Sequence, residues 1–481
     1  MKTVANLMEF DYNICIRKLI SQTHNNMNTI IKTAKATGTK DLLIGMPYQR
    51  AKQIKDLKRF MSVSDRRYKI IDVCHEPEKI NSKIEDAQGE DFIRYDGDSH
   101  LITIAPTGSG KNRSVIMPVL LSYEGPAIVL DIKGENYAVT ANYRRSIGHK
   151  VIALDPFHVV TSKSDRFNPF DILKMKDVDV DTEAMFLAEL FARDNKFSKD
   201  PFWDNSAIGL IAGLISYLAT AVKDDEMNLT KMRSILMAQD SVYELAVVLD
   251  TKKEKISEMA FEEIAAYLQM PEQNTRPSVL ATVNSYLKPF GAMGVKDALS
   301  SSSFQLDEII EGKPLTIYII IPPDKLESYG GLIRLWIGTL LKVITMRRRI
   351  PELRTLFILD ECAQLGYFPF LNTAITLLRA FGLQTWSFWQ DLNQLFSNYD
   401  KQSRTIINNC GVLQTFGINN ADAARQLSEY LNVSIEDVLN LKKDEQLILL
   451  NGSKLLRAGR MDYLNDPFFE GKFTSNPYFK L

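Results

Sequence analysis

HLITIAPTGSGKN, His100–Asn112, is the stretch on which the reading of the whole chain turns. Leu101 to Ala105 is a short apolar run that predicts a buried strand. Gly108, Gly110 and Lys111 follow in a glycine-rich turn, and the next residues are able to start a helix. Strand, glycine turn and helix in that order are the context a phosphate-binding loop requires. Glycines let successive backbone N–H groups converge on an anion, and a helix N-terminus adds partial positive charge. A lysine at this position supplies a mobile cation for the β- and γ-phosphates. Thr107, Gly108, Ser109, Gly110, Lys111 and Asn112 are therefore the candidate nucleotide-binding residues. Two positions depart from the pattern: Ala105 replaces a Gly, and Asn112 replaces the Ser or Thr whose hydroxyl sits on Mg²⁺. An amide oxygen can ligate Mg²⁺ but is larger and differently directed, so nucleotide binding is better supported than efficient hydrolysis.

Outward from this loop the chain alternates strand and helix. PAIVLD (Pro126–Asp131) and KVIALDP (Lys150–Pro156) read as buried strands, with a helix through Arg145 between them. Continuous apolar strands separated by helices signal a parallel sheet covered on both faces. Asp131 and Asp155 then stand on the strand-end edge where open α/β sheets bind ligands. The rhythm resumes at PLTIYIII (Pro314–Ile321), a helix from Tyr329 to Arg349, and the strand Thr355–Leu359, which ends in Asp360-Glu361. An acidic pair at a strand end is the second half of a phosphate-loop ATPase site. Asp360 is expected to hold Mg²⁺ through water, and Glu361 to polarise the attacking water. LQTWSFWQD is a strand delivering Gln390 as a γ-phosphate sensor. GVLQTFG (Gly411–Gly417) and QLILLNG (Gln446–Gly452) are two more strands, and the aromatic tail Arg457–Leu481 is expected to run extended over the surface. Trp386, Phe388, Trp389 and Phe381 read as sheet core.

Between Lys174 and Leu306 only helices are predicted: 182–193, 201–223, 229–238, 241–250, 254–269 and 276–290. Residues 174–306 are thus expected to form an all-helical domain inserted into an α/β one made of 91–173 and 307–481. Ser300–Ser303 is expected to be the flexible return linker. Residues 1–90 are polar and mixed, with a helix expected over Tyr12–Lys35 and edge strands at Leu42–Ile44 and Tyr68–Val73.

Composition narrows the functional classes. The chain has 481 residues, too long for one ordinary core, and 45% of them are hydrophobic and 24% charged. Cys15, Cys74, Cys362 and Cys410 lack CxxC spacing, and the five histidines lack an HExxH arrangement, which disfavours disulfides and zinc. A net charge of −1 gives no global basic field, so any nucleic-acid contact must be local. The apolar run Ala207–Val222 has 16 residues, short of the roughly 20 that span a bilayer, and reads as a buried helix. No membrane span is expected.

Seven ordered segments carry a family resemblance: APTGSGKN with Pro118, VLDIKGENY (Val129–Tyr137), FNPFD (Phe167–Asp171), FWDNSA (Phe202–Ala207), LFILDECAQLG (Leu356–Gly366), WQDLNQL (Trp389–Leu395) and YLNDPFF (Tyr463–Phe469). Over residues 100–470 the chain resembles the coupling ATPases of type IV secretion and conjugation systems, hexameric motors related to FtsK and RecA-like ATPases. In that family the residue after the loop lysine is often not Ser or Thr. The resemblance implies a RecA-like P-loop ATPase domain with an inserted all-α domain, using ATP and Mg²⁺. It also implies DNA or protein substrates and partner secretion components at the cytoplasmic face of the inner membrane. Homo-hexamers of this kind complete each site with a neighbour's arginine, for which Arg404 ranks ahead of Arg379. Typical members begin with transmembrane helices, and this chain is expected to reach the membrane through partners instead. Substrate is expected on the helical insertion and in the pore, with Lys231, Arg233, Lys252, Lys253, Lys255 and Arg276 as the candidate contacts on the insertion. Competing readings are a low-turnover, nucleotide-gated substrate receptor and a cytosolic translocase of the FtsK or HerA kind. DIKGEN and FWDNSA favour the secretion branch.

Overall fold

The computed structural model describes residues 40–52, 54–55, 85–86, 92–192 and 200–478. The helix expected over Tyr12–Lys35, the strand expected over Tyr68–Val73, and Cys15 and Cys74 lie outside them. Among the described residues twelve strands follow in order: β1 (Leu42–Gly45), β2 (Glu85–Asp86), β3 (Ile93–Tyr95), β4 (His100–Ile104), β5 (Ala127–Asp131), β6 (Lys150–Leu154), β7 (Leu315–Ile320), β8 (Thr355–Leu359), β9 (Leu383–Trp389), β10 (Cys410–Thr415), β11 (Glu445–Leu450) and β12 (Lys454–Gly459). The chain divides into two compact units. The smaller draws on Met1–Gly97, Ile104–Glu124 and Val412–Ser475, the larger on Asp98–Thr103, Gly125–Gly411 and Asn476–Leu481.

The larger unit is built on parallel strands in the order β9-β8-β5-β7-β6. β5, β7, β8 and β9 are buried along their whole length, which is why LTIYII and TLFIL read as unbroken apolar runs rather than alternating ones. Because these strands are parallel, Asp131, Asp155, Asp360-Glu361 and Gln390 all leave the sheet at one edge. Trp386, Phe388 and Trp389 are core, as the sequence predicts, whereas Phe381 is half-buried in the turn before β9. Trp386 Nε1 donates to Thr103 Oγ1 at 2.8 Å and Trp389 Nε1 to Ser387 Oγ at 3.1 Å, so neither indole N–H is buried unsatisfied.

From β6 to β7 the described residues contain no strand and eight α-helices, from Val180–Phe191 to Leu306–Ile310. Asn228, Asp240 and Ser257 start three of them by accepting from the backbone N–H groups of Lys231, Tyr243 and Ala260. The apolar run from Ala207 lies in the helix Phe202–Ala221, buried from Gly209 to Leu218. Its small residues serve packing, because a Cβ on Gly213 would come within 2.9 Å of Glu263 Cβ. Among the described residues no helix is long and apolar enough to cross a membrane.

Ser300–Ser303 is not a flexible return linker. Ser302 Oγ donates to Asp171 at 2.6 Å and accepts from Asn168 N–H at 3.0 Å, and Ser303 Oγ accepts from Arg166 N–H at 3.0 Å. Composition suggested a solvated linker, whereas the hydroxyls bond the FNPFD segment and fix it.

In the smaller unit β10, β11 and β12 form an antiparallel meander, and β1 pairs with β3. Gln414 and Gln446 are buried at its centre, bonded to each other at 2.6 Å and to the Ile44 carbonyl. The extended tail expected from Arg457 is also corrected: Arg457–Gly459 belong to β12, and Met461, Tyr463, Phe468 and Phe469 are buried. Phe468 and Phe469 pack on Phe92, and Asp466 holds Arg50 in a buried ion pair at 3.1 Å. YLNDPFF is therefore an anchor, driven in by its aromatic rings.

Candidate nucleotide site

The loop 105–112 lies in the smaller unit. Gly108 and Gly110 have φ of +76° and +88°, values that L side chains rarely adopt, and this is the backbone form that makes an anion-binding concavity. Ser109 closes the turn, with its N–H and Oγ both donating to the Pro106 carbonyl at 3.2 and 2.6 Å. Helical geometry begins at Lys111, and the turn Asn112–Ile116 is wound wide, as a π-helix. Such turns recur at functional sites. Lys111 is 6% exposed and its Nζ donates to the Ala105 carbonyl at 3.0 Å. Thr107 and Gly108 are exposed, while Ser109, Gly110 and Asn112 are half-buried.

In the larger unit, Asp360 leaves β8 buried, 6% exposed. Glu361 takes φ +51° and ψ +51°, a left-handed conformation that costs a non-glycine residue about 1–2 kcal/mol. Such backbone strain concentrates at functional positions. Gln390, leaving β9, donates from Nε2 to Glu361 Oε2 at 2.9 Å. Its own N–H donates to Gln394 Oε1 at 3.0 Å, and Asp391 caps the helix that carries Gln394. The structure thus joins Glu361 and Gln390 and aims both from strand ends. Cys362 beside them is fully buried, and burial pushes its thiol far up, so it is no nucleophile.

The two other strand-end carboxylates serve the backbone. Asp155 accepts from the N–H groups of Val159, Val160 and Thr161 at 2.8–2.9 Å. Asp131 accepts from Tyr137 N–H at 2.8 Å, and burial pushes it up to about 7 against those hydrogen bonds. Arg404 is exposed on the helix Gln402–Asn408. Arg379 instead pairs with Asp98, whose carboxyl burial pushes up but Arg379 and Arg354 hold below its ordinary value. That pairing makes Arg379 the weaker finger candidate.

Arg460 is the residue that the sequence reading missed. It follows β12, and its Nη2 donates to the Ser109 carbonyl at 2.5 Å and to Ser114 Oγ at 2.8 Å. Among the described residues no group of three or more His, Cys, Asp or Glu could hold a metal by itself. A single strand-end carboxylate such as Asp360 nevertheless fits Mg²⁺, which takes one or two carboxylates and fills its shell with water and phosphate oxygens.

The family model for type IV secretory system conjugative DNA transfer matches residues 50–432. The chain is 28% identical over 404 residues to the conjugal transfer protein TraG of Agrobacterium fabrum, covering 76% of this chain and 60% of that protein. It is 26% identical over 366 residues to a TraG of Escherichia coli, covering 70% and 55%. To the type IV secretion system-coupling protein VirD4 of Bartonella quintana it is 25% identical over 410 residues, covering 76% and 63%. The chain therefore spans about 55–63% of the length of these relatives. Among solved structures, the unbound form of the bacterial conjugative coupling protein TrwBdeltaN70 matches with a TM-score of 0.61 at 13% identity, covering 89% of this chain and 95% of that one. TrwB in complex with ADP and Mg²⁺ matches with a TM-score of 0.59 at the same identity. The likeness shows that the chain shares the α/β fold of these coupling proteins. With the family model spanning well over half its length, the chain belongs to the type IV secretory system conjugative DNA transfer family.

Proposed function

We propose that this protein is the coupling ATPase of a type IV secretion or conjugation system. It recruits DNA, protein or both to the secretion channel at the cytoplasmic face of the inner membrane. The observation that carries the reading is the glycine nest at Gly108 and Gly110 with Lys111 behind it, in a chain of this family. Backbone N–H groups of residues 108–112 and the Lys111 ammonium bind the phosphates of ATP. Asp360 holds Mg²⁺, which when bound neutralises phosphate charge. Glu361, oriented by Gln390, accepts the hydrogen bond of the attacking water and polarises it. Arg404 serves as the finger offered to a neighbouring copy in a homo-hexamer, and residues 174–306 act as the inserted substrate-binding domain.

The test is nucleotide affinity and ATP turnover of the purified chain, with and without single- or double-stranded DNA. Lys111→Ala should abolish nucleotide binding with the fold intact. Turnover should rise with DNA and more than linearly with protein concentration. Unchanged affinity in Lys111→Ala sinks the site. Measurable binding with negligible turnover under every condition would instead mark a nucleotide-gated receptor.

A further inference from the structure

The phosphate loop is held from behind by a segment that lies 351 positions further along the chain. Arg460 spans three anchors: Nη2 donates to the Ser109 carbonyl and Ser114 Oγ, and Nη1 to the Lys443 carbonyl at 2.9 Å. Its guanidinium lies 4.1 Å from the centre of the Phe416 ring. Ser114 Oγ in turn donates to the Gly110 carbonyl at 2.9 Å. Two positions further on, Asp462 takes both donors of Arg113 at 2.7 Å, bracing the turn after the loop. The fit is close on both sides: a Cβ on Gly110 would lie 3.1 Å from Arg460 Nη2, and one on Gly417 would lie 2.9 Å from Ser109 Cβ.

We propose that Arg460 is a positioning residue for nucleotide binding, which fixes the Ser109–Gly110 peptide so that the Gly110 N–H faces the phosphates. The proposal rests on the reading of residues 105–112 as a phosphate loop. A trans peptide is planar, with its C=O and N–H pointing opposite ways. Holding the Ser109 carbonyl against Arg460 therefore turns the Gly110 N–H to the other side, where an anion in the nest would sit. That peptide turns about ψ of Ser109 and φ of Gly110, and the glycine leaves its own side of the plane with the widest backbone freedom, so without an outside hold it can rotate away. A planar fork reaches the Ser109 carbonyl, Ser114 Oγ and Lys443 carbonyl at once, which a lysine ammonium on a flexible stem does not reproduce. Burial lowers Arg460 to about 10, so it remains charged near neutral pH.

The experiment measures dissociation constants for a fluorescent ATP analogue together with kcat and KM, on the full chain. Arg460→Lys should weaken nucleotide binding and raise KM about tenfold or more, because a charge-assisted bond and its geometry are lost. kcat should stay within about twofold, since the loop conformation serves ground and transition state alike. Arg113→Ala, which removes only the more exposed brace, should change affinity by less than about threefold. Unchanged affinity in a folded Arg460→Lys, or a fall in kcat alone, overturns the proposal. If Arg460→Lys does not fold, Ser114→Ala decides: weaker nucleotide binding supports the latch and unchanged binding overturns it. Wild-type binding that is lost in Lys111→Ala but kept in Arg460→Lys defeats the latch and leaves the phosphate-loop reading standing. No binding by the wild type defeats both.

Discussion

Replacing Glu361 with Gln separates chemistry from architecture, because the proposed function gives this side chain a water-polarising role while the structure shows it bonded to Gln390. The backbone at 361 stays left-handed in either case, and neither side chain is glycine, so the strain is unchanged. Gln390 Nε2, 2.9 Å from Glu361 Oε2, meets a carbonyl oxygen once the new amide turns to present it. A net hydrogen bond to a charged acceptor contributes about 1.5–3 kcal/mol and one to a neutral acceptor about 0.5–1.5 kcal/mol. The substitution should therefore cost only about 1 kcal/mol of stability, or roughly 2–4 °C in melting temperature for a unit of this size. Nucleotide affinity should be unchanged, since no phosphate contact is removed. A positioned group acting on the attacking water contributes about 10²–10⁴-fold, and turnover should fall within that range. Single-turnover hydrolysis, with affinity measured separately, reads the two quantities apart. Turnover within about threefold of wild type, at equal affinity, would refute the assignment of the water-polarising role to Glu361.

Two further outcomes concern charge. In the helical segment Arg233 bonds the Leu287 carbonyl, Arg276 bonds the Leu268 and Met270 carbonyls, and Lys231 pairs with Glu226, so these are tied inward or locally. Lys253 and Lys255 are exposed and Lys252 half-buried beside them. Changing all three to Glu should lower the salt slope of DNA binding by up to about 2.7, measured by fluorescence anisotropy, and an unchanged slope moves the contact elsewhere. Asp131, raised from 3.8 to about 7, holds a proton in the folded chain that the unfolded chain has lost between those values. Stability should fall as pH rises through that window and level off above about 7. Asp131→Asn should flatten the decline in denaturant midpoint between pH 5 and 8, and an equally steep decline in the variant would show that other groups cause it.

What was legible in the sequence was local. TGSGK behind an apolar strand announces its turn because the glycines are there, and Asp360-Glu361 announce a strand end because Thr355–Leu359 is unbroken and apolar. The left-handed backbone at Glu361 carries no such mark, since no glycine or asparagine occupies the position. β12 left a signal that composition masked: Asn451-Gly452, with φ of +47° and +66°, joins two apolar runs as a hairpin turn. In the aromatic tail Tyr463, Phe468 and Phe469 are core, while Phe473 is half-buried and Tyr478 exposed. Ser302 and Ser303 look like a linker until their partners, more than 130 positions away, are known. Arg460 is the extreme case, for a lone arginine cannot disclose a partner 351 positions upstream.

That separation also bears on how the protein is made. Arg460, which holds the Ser109 carbonyl, is added 351 residues after it, roughly 20–70 s later at about 5–20 residues per second. Over that interval β10, β11 and β12, which share the loop's compact unit, are also missing. Ile104 lacks the Thr415 hydroxyl that donates to its carbonyl at 2.8 Å. A nascent chain stalled before β10 should therefore carry the complete TGSGK motif and fail to retain ATP, whereas one released at full length should bind it. Tight binding by the stalled chain would show that the loop shapes itself. If the stalled chain is inert, nucleotide binding waits until Arg460 and the β10–β12 meander have been made.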